Sequence, residues 1–150
     1  MALAPSRRQL GPNWRLVKSH KVHVCDSGLL HSLPSIHEVN DLLGHPSTGA
    51  SWEGFAVEQI ANHLPSGASM SFYWTAAGTE IDAAVKRSQR KIDFEIKFSS
   101  SPKVTKGFWH VCDDLQVDAA YVVAPVAEGW AMKTPAEVIS VMDIALKLQA

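Results

Sequence analysis

From Ser51 onward apolar residues recur at three- and four-residue steps (Trp52, Phe55, Ala56, Ile60 and Leu64), which predicts an amphipathic helix ending near Pro65. Three strand-like stretches follow at Ser71–Ala76, Thr79–Lys86 and Arg90–Ser99. The connections Ala77-Gly78 and Arg87-Ser88-Gln89 are short enough to make them an antiparallel meander. Helical spacing returns at Val104, Phe108, Val111, Cys112 and Leu115. Ala119–Ala124 is an apolar, β-branched strand closed by Pro125, and a short strand at Val138–Val141 precedes a terminal helix to Leu148. Upstream, Lys21–Cys25 alternates as a short strand, Asp26-Ser27 caps a short helix carrying Leu29, Leu30 and Leu33, and Gly44–Gly49 is a loop. The order helix, three strands, helix, strand predicts one mixed α/β domain with a small extra unit in front. Pro5, Gly11 and Pro12 make the first residues irregular.

Strand alternation sorts the meander's side chains into faces. Ile92, Phe94, Ile96 and Phe98 share one face of the third strand, and Asp93, Glu95 and Lys97 share the other. On the second strand Glu80 and Asp82 oppose Ile81, Ala83 and Val85. A hairpin centred on Ser88-Gln89 sets Asp82 directly opposite Glu95, and Glu80 opposite Lys97. Like charges directly opposed destabilise a sheet; a pairing slip of two residues would separate them. One reading is a wet, solvated sheet face on which Lys97 pairs with Glu80 or Glu95. The other is a hard-cation site, because oxygen ligands from two or three carboxylates suit Mg²⁺ or Mn²⁺.

Composition narrows the class. The chain has 150 residues, 46% hydrophobic and 19% charged, enough for a buried core and too apolar for disorder. A net charge of −1 excludes a strongly basic nucleic-acid-coating protein. That total hides blocks: residues 1–25 carry five basic residues and no acid, and residues 26–85 carry seven acids and no Lys or Arg. Residues 86–106 then hold seven basic residues against Asp93 and Glu95. No apolar run is long enough to span a bilayer, and the N-terminus lacks the apolar segment of a secretory signal. Cys25 and Cys112 lie far apart with no metal spacing and read as reduced thiols of a cytoplasmic protein.

Asp82, followed after a hairpin by Glu95-Ile96-Lys97, is similar to the PD-(D/E)XK signature of the restriction-endonuclease-like superfamily. The resemblance implies an α-β-β-β-α-β core that presents an Asp, an acid and a Lys from adjacent strands, with Glu53 placed as the acid of the preceding helix. It extends through Lys21–Leu30, Gly49–Phe55, Gly78–Asp82, Phe94–Lys97 and Pro102–Phe108. In that form the chain resembles the uncharacterised C-terminal domain that follows the ATPase core in many prokaryotic AAA-type ATPases. The likeness covers residues 15–150, leaving residues 1–14 as a linker. No stretch fits the GxxxxGK[ST] phosphate-binding loop, so no ATP site of that kind is expected in this chain.

The resemblance implies roles. Asp82, Glu95 and the Ile96 carbonyl would ligate Mg²⁺ or Mn²⁺, Glu53 would add a further ligand, and Lys97 would position the attacking water. Glu80 reads either as an outer ligand of the cation or as the ion-pair partner of Lys97, with the partner role favoured. Lys103 and Lys106 are placed for phosphate contact, whereas Lys86, Arg87, Arg90 and Lys91 read as a solvated hairpin tip. Trp52 and Trp109 fall on apolar helix faces and are expected in the core. The seven histidines form no paired motif, and Ser99-Ser100-Ser101 has no nearby base. Two functions follow: metal-dependent cleavage of DNA phosphodiesters, or a non-cleaving DNA- or protein-binding module of an ATPase.

Overall fold

The computed structural model describes residues 2–3, 23–24, 48–74 and 80–150. The helix expected after Asp26 and the Ala77-Gly78 turn lie outside them. Two short strands, β1 (Ala2–Leu3) and β2 (His23–Val24), pair antiparallel with Leu3 opposite His23. β2 falls within the strand predicted at Lys21–Cys25. β1 is too short to leave an alternation signal in its Pro- and Gly-rich segment.

The rest is a mixed α/β sandwich. Helix α1 (Thr48–Asn62) precedes the meander β3 (Ala68–Trp74), β4 (Glu80–Arg87) and β5 (Arg90–Ile96). Then come α2 (Lys106–Leu115), β6 (Ala119–Ala124), β7 (Trp130–Ala131), β8 (Ala136–Ser140), a 3₁₀ turn (Val141–Asp143) and α3 (Ile144–Gln149). The six strands run in the order β3-β4-β5-β6-β8-β7. β5–β6 and β6–β8 pair parallel, so α2 serves as the crossover between two parallel strands. Helix α1 begins at Thr48, inside the segment expected to be loop, and exposed Phe55 lies off its buried Ala56-Val57-Ile60 face. β7 has no counterpart in the sequence reading, since two exposed residues are too few for a pattern.

Two apolar layers enclose the sheet. On one face Ala56, Val57 and Ile60 of α1 and Ile144 and Leu148 of α3 pack on Ile92, Phe94, Ile96, Tyr121 and Val123. On the other, Phe108, Val111 and Cys112 of α2 pack on Ile81, Ala120, Val122 and Val138. Helix α2 is sharply bounded. The Thr105 hydroxyl accepts the Phe108 N–H at its start, and left-handed Gln116 closes its end. Lys91 holds that end, donating its Nζ to the Leu115 carbonyl and its backbone N–H to Asp118. Lys91 is therefore an anchor between β5 and α2 rather than part of a solvated hairpin tip. Among the described residues no helix is long and apolar enough to cross a membrane.

This two-sided cover overturns the wet-face reading of β5. All five residues from Ile92 to Ile96 are buried, including Asp93 and Glu95. Asp93 is 2% exposed, and its Oδ2 has no hydrogen-bond partner among the described residues. Burial raises its pKa to about 7 from the ordinary 3.8, against the smaller opposing pull of Lys91.

The sign of the linkage follows. Between about pH 4 and pH 7 the unfolded chain releases the Asp93 proton while the folded chain keeps it, so this group lowers stability as pH rises and adds no further slope above its folded pKa. Asp93→Asn removes the effect. The unfolding free energy of the variant should gain on the wild type by on the order of 4 kcal/mol between pH 4 and pH 7.5 in urea titrations. A difference that stays constant across that range would refute the assignment.

Candidate functional site

The predicted site residues come from α1, β4 and the end of β5, and a break in the β4 ladder sets their geometry. Ser71 pairs with Ala84 but Tyr73 pairs with Ile81, so Phe72 opposes two β4 residues, Asp82 and Ala83. This is a β-bulge, which re-aims side chains and changes the local twist. It splits the predicted Ile81/Ala83/Val85 face: Ala83 and Val85 stay in the layer under α1, while Ile81 joins the layer under α2.

The hairpin pairing centred on Ser88-Gln89 holds from Arg87–Arg90 to Ala83–Phe94. Ser88 adopts the left-handed region at φ 53° to close it. Beyond Phe94 the side chain of Asp82 takes over from the backbone. The Ile96 N–H donates to Asp82 Oδ2 at 2.8 Å, while on the other edge of β5 the Lys97 N–H donates to the Val123 carbonyl at 2.9 Å. The recorded β4–β5 pairing thus stops one step short of opposing Asp82 to Glu95.

Lys97 Nζ lies 2.6 Å from Glu95 Oε1, so its ion pair is with Glu95 rather than with the expected Glu80. The β5 backbone dictates this: residues two apart on an extended strand project to the same side. Burial and then the neighbouring charge of Asp82 push the Glu95 carboxyl above its usual pKa, against the pull of Lys97; Glu80 adds to the rise. Burial works against the Lys97 charge, yet Glu95, Asp82 and Glu53 outweigh it and hold the ammonium above its ordinary value. Glu53, Asp82, Glu95 and Lys97 therefore share one electrostatic neighbourhood. As they stand, Glu95 is engaged by Lys97 and Asp82 by the Ile96 amide. Among the described residues no three His, Cys, Asp or Glu side chains form a ready metal-binding group.

Lys103 lies on the connection between β5 and α2, Lys106 is the first residue of α2, and both are exposed. Trp52 and Trp109 are half-buried against the two apolar layers, as expected, and Lys133 sits over the Trp109 ring. Two features escaped the sequence reading. The buried Asp93 looked identical to its solvated alternatives in an alternating strand. The rings of Phe55 and Phe98 both contact Trp52, which packs on the layer of Ile92, Phe94 and Ile96. Only the adjacency of Trp52 to Glu53, and of Phe98 to Lys97, could have signalled the latter.

Asp82 is thus structural as well as a candidate ligand. Asp82→Ala strips the acceptor from a buried β5 amide and should cost roughly 1–3 kcal/mol of unfolding free energy. Asp82→Asn keeps an oxygen in place and should lose clearly less. Equal losses in urea unfolding would show that the carboxylate charge, rather than the Ile96 bond, is what the fold needs.

Comparison with known proteins points to a domain of unassigned function. The chain is 36% identical over 124 residues to an uncharacterized protein of Mycobacterium bovis and, equally, to one of Mycobacterium tuberculosis. The aligned part is 82% of this chain and 27% of each relative, so the chain spans about a quarter of the length of the curated relatives it matches. No solved structure matches it significantly. Residues 48–145, from the start of α1 to the start of α3, match the model of the domain of unknown function DUF4143, and the chain belongs to that family.

Proposed function

We propose that this domain is a restriction-endonuclease-like, metal-dependent nuclease that hydrolyses DNA phosphodiester bonds. The observation that carries the reading is the convergence of Glu53, Asp82 and Glu95 on Lys97, at the point where the Asp82 carboxylate caps the Ile96 amide. The helix–meander–helix–strand order, with a parallel fourth strand beside β5, supports the same reading.

The donor set fits a hard divalent cation. Asp82 and Glu95 offer carboxylate oxygens near enough that the Asp82 charge disfavours ionisation of Glu95, a repulsion that a cation would relieve. Asp82, Glu95 and the Ile96 carbonyl would hold Mg²⁺ or Mn²⁺, with Glu53 as a further ligand. The cation would supply charge neutralisation at phosphorus and a more acidic water. Lys97 would hold the attacking water and lend positive charge to the phosphoryl oxygens. Lys103 and Lys106 would contact flanking phosphates. An ATPase unit would be the partner implied by the resemblance to the C-terminal domains of AAA-type ATPases.

The Lys97–Glu95 ion pair favours a second reading, a non-cleaving DNA- or protein-binding module of an ATPase, because a carboxylate already neutralised by an amine has less call for a metal. Incubation of the purified protein with plasmid and single-stranded DNA in Mg²⁺ or Mn²⁺ separates the two. Cleavage that EDTA abolishes, and that Lys97→Ala and Asp82→Asn reduce about a hundredfold or more, supports the nuclease. Cleavage untouched by both variants assigns the activity elsewhere. If DNA stays intact and calorimetry shows no Mn²⁺ binding, the metal-site reading falls and the binding module remains.

A further inference from the structure

The β4–β5 hairpin sets like charges against each other at its tip. Its register places Lys86 directly opposite Lys91 and Arg87 directly opposite Arg90. Directly opposed like charges weaken a sheet, and the flanking strand offers no relief, because β3 sets Ser69 against Lys86 and Ala68 against Arg87. Alternation turns the arginines to the α1 face, which Val85 and Ile92 line, and the lysines to the α2 face. There the Lys91 ammonium is engaged by the Leu115 carbonyl, at the negative end of α2. Asp118, beside the β5 edge, accepts the Lys91 backbone N–H. Among the described residues Lys86, Arg87 and Arg90 have no carboxylate within ion-pair distance. Arg87, Ser88 and Gln89 are exposed, so the tip is open to a partner.

The carboxylate cluster lies at the other end of the strand. From Arg90 to Lys97 the extended chain covers about 23 Å at roughly 3.3 Å per residue. That exceeds the Debye length of about 8 Å, so the cluster does not repel a polyanion held at the tip. Charge complementarity selects the occupant. Lys86, Arg87 and Arg90 sit on two successive rungs of one ladder, with strands about 5 Å apart. A nucleic-acid duplex carries one charge per about 1.7 Å of axis and sheds condensed counterions when protein cations replace them. An ordinary acidic segment of protein is less densely charged, and the planar guanidinium fork suits phosphate oxygens. We infer that Lys86, Arg87 and Arg90 form a docking patch for the phosphate backbone of duplex DNA, separate from the carboxylate cluster. The patch shares DNA with the nuclease reading but depends on neither cleavage nor a bound cation.

Binding of a labelled DNA duplex of about 20 bp, followed by fluorescence anisotropy in EDTA, tests the patch. Lys86→Gln, Arg87→Gln and Arg90→Gln should each weaken binding about three- to tenfold at ~0.1 M salt. Each should also flatten the slope of log affinity against log salt by about one, whereas Arg87→Lys should keep it. Urea unfolding without DNA gives a second readout. Because the cations oppose each other, the midpoint of Arg90→Gln relative to the wild type should be higher at ~0.02 M than at ~1 M salt. The reverse order would reveal an attractive partner for Arg90 and overturn the patch. No duplex binding, or duplex binding unaltered in all three Gln variants, would overturn it as well. Polyglutamate that displaces the duplex at equal charge concentration would assign the tip to an acidic protein instead. Tip-dependent binding without cleavage in Mg²⁺ would retain the patch and remove the nuclease. Metal-dependent cleavage by a protein whose duplex binding ignores all three substitutions would do the opposite.

Discussion

The end of β5 depends on one hydrogen bond, from the Ile96 amide to the Asp82 carboxylate at 2.8 Å. Ile96 is buried, so its N–H must be satisfied within the protein. On the β6 side the strand continues in register through Ile96–Val123. On the β4 side the bulge at Asp82 and Ala83 has ended the ordinary ladder. A carboxylate reaching across the break satisfies the amide, and it lets β4 and β5 part without leaving an orphan donor. Every candidate site residue from the sheet is located by that departure: Asp82 makes the bond, Glu95 and Lys97 flank the amide that receives it, and Glu53 reaches the same charge neighbourhood from α1.

β5 also carries two buried acids on one face with opposite fates. Isolated buried ions cost several kcal/mol, so each must be neutralised in some way. Near the strand's end, Glu95 has the half-exposed ammonium of Lys97 within ion-pair distance. Two residues earlier, Asp93 lies deep under α2 beside Cys112, whose thiol burial and the Asp93 charge together push up to about 12. Among the described residues no amine pairs with Asp93 as Lys97 pairs with Glu95, and below about pH 7 burial makes the proton itself the neutraliser. Below about pH 7 the layer under α2 is therefore electrostatically graded along β5, from a protonated acid in its depth to an ion pair at its rim.

Much of this was legible in the sequence, for a physical reason. The order of the main elements, the β4–β5 hairpin pairing, the helical spacing of α2 and the strand at Ala119–Ala124 are fixed by local periodicity and turn residues, which the sequence displays directly. Asp82, Glu95 and Lys97 could be assembled on paper because period-two alternation and a short hairpin leave few registers. The larger errors were non-local. Whether Asp93 faces water depends on α2 arriving over it from later in the chain, and alternation carries no trace of that cover. The bulge arises from a disagreement between β3 and β4 registers, and no residue type marks it. Lys91 looked like one more hairpin cation because its partners, Leu115 and Asp118, lie beyond the crossover helix.

The charge blocks of the chain gain their meaning from this arrangement. The acid-only stretch 26–85 contributes Glu53 and Asp82, and the basic stretch 86–106 contributes Lys97 with Glu95. Folding brings three carboxylates around one amine, so the cluster, when ionised, holds more negative than positive charge although the protein is close to neutral. A phosphodiester entering such a cluster would be repelled, since Coulomb energies at a few ångströms in a half-buried site reach several kcal/mol. Any phosphoryl chemistry there requires added positive charge at the carboxylates or their protonation. Glu95, already pushed upward by burial and by Asp82, is the group on which that requirement falls first. Overall neutrality is thus no argument against an anionic substrate, because the balance that decides its entry is struck among Glu53, Asp82, Glu95 and Lys97.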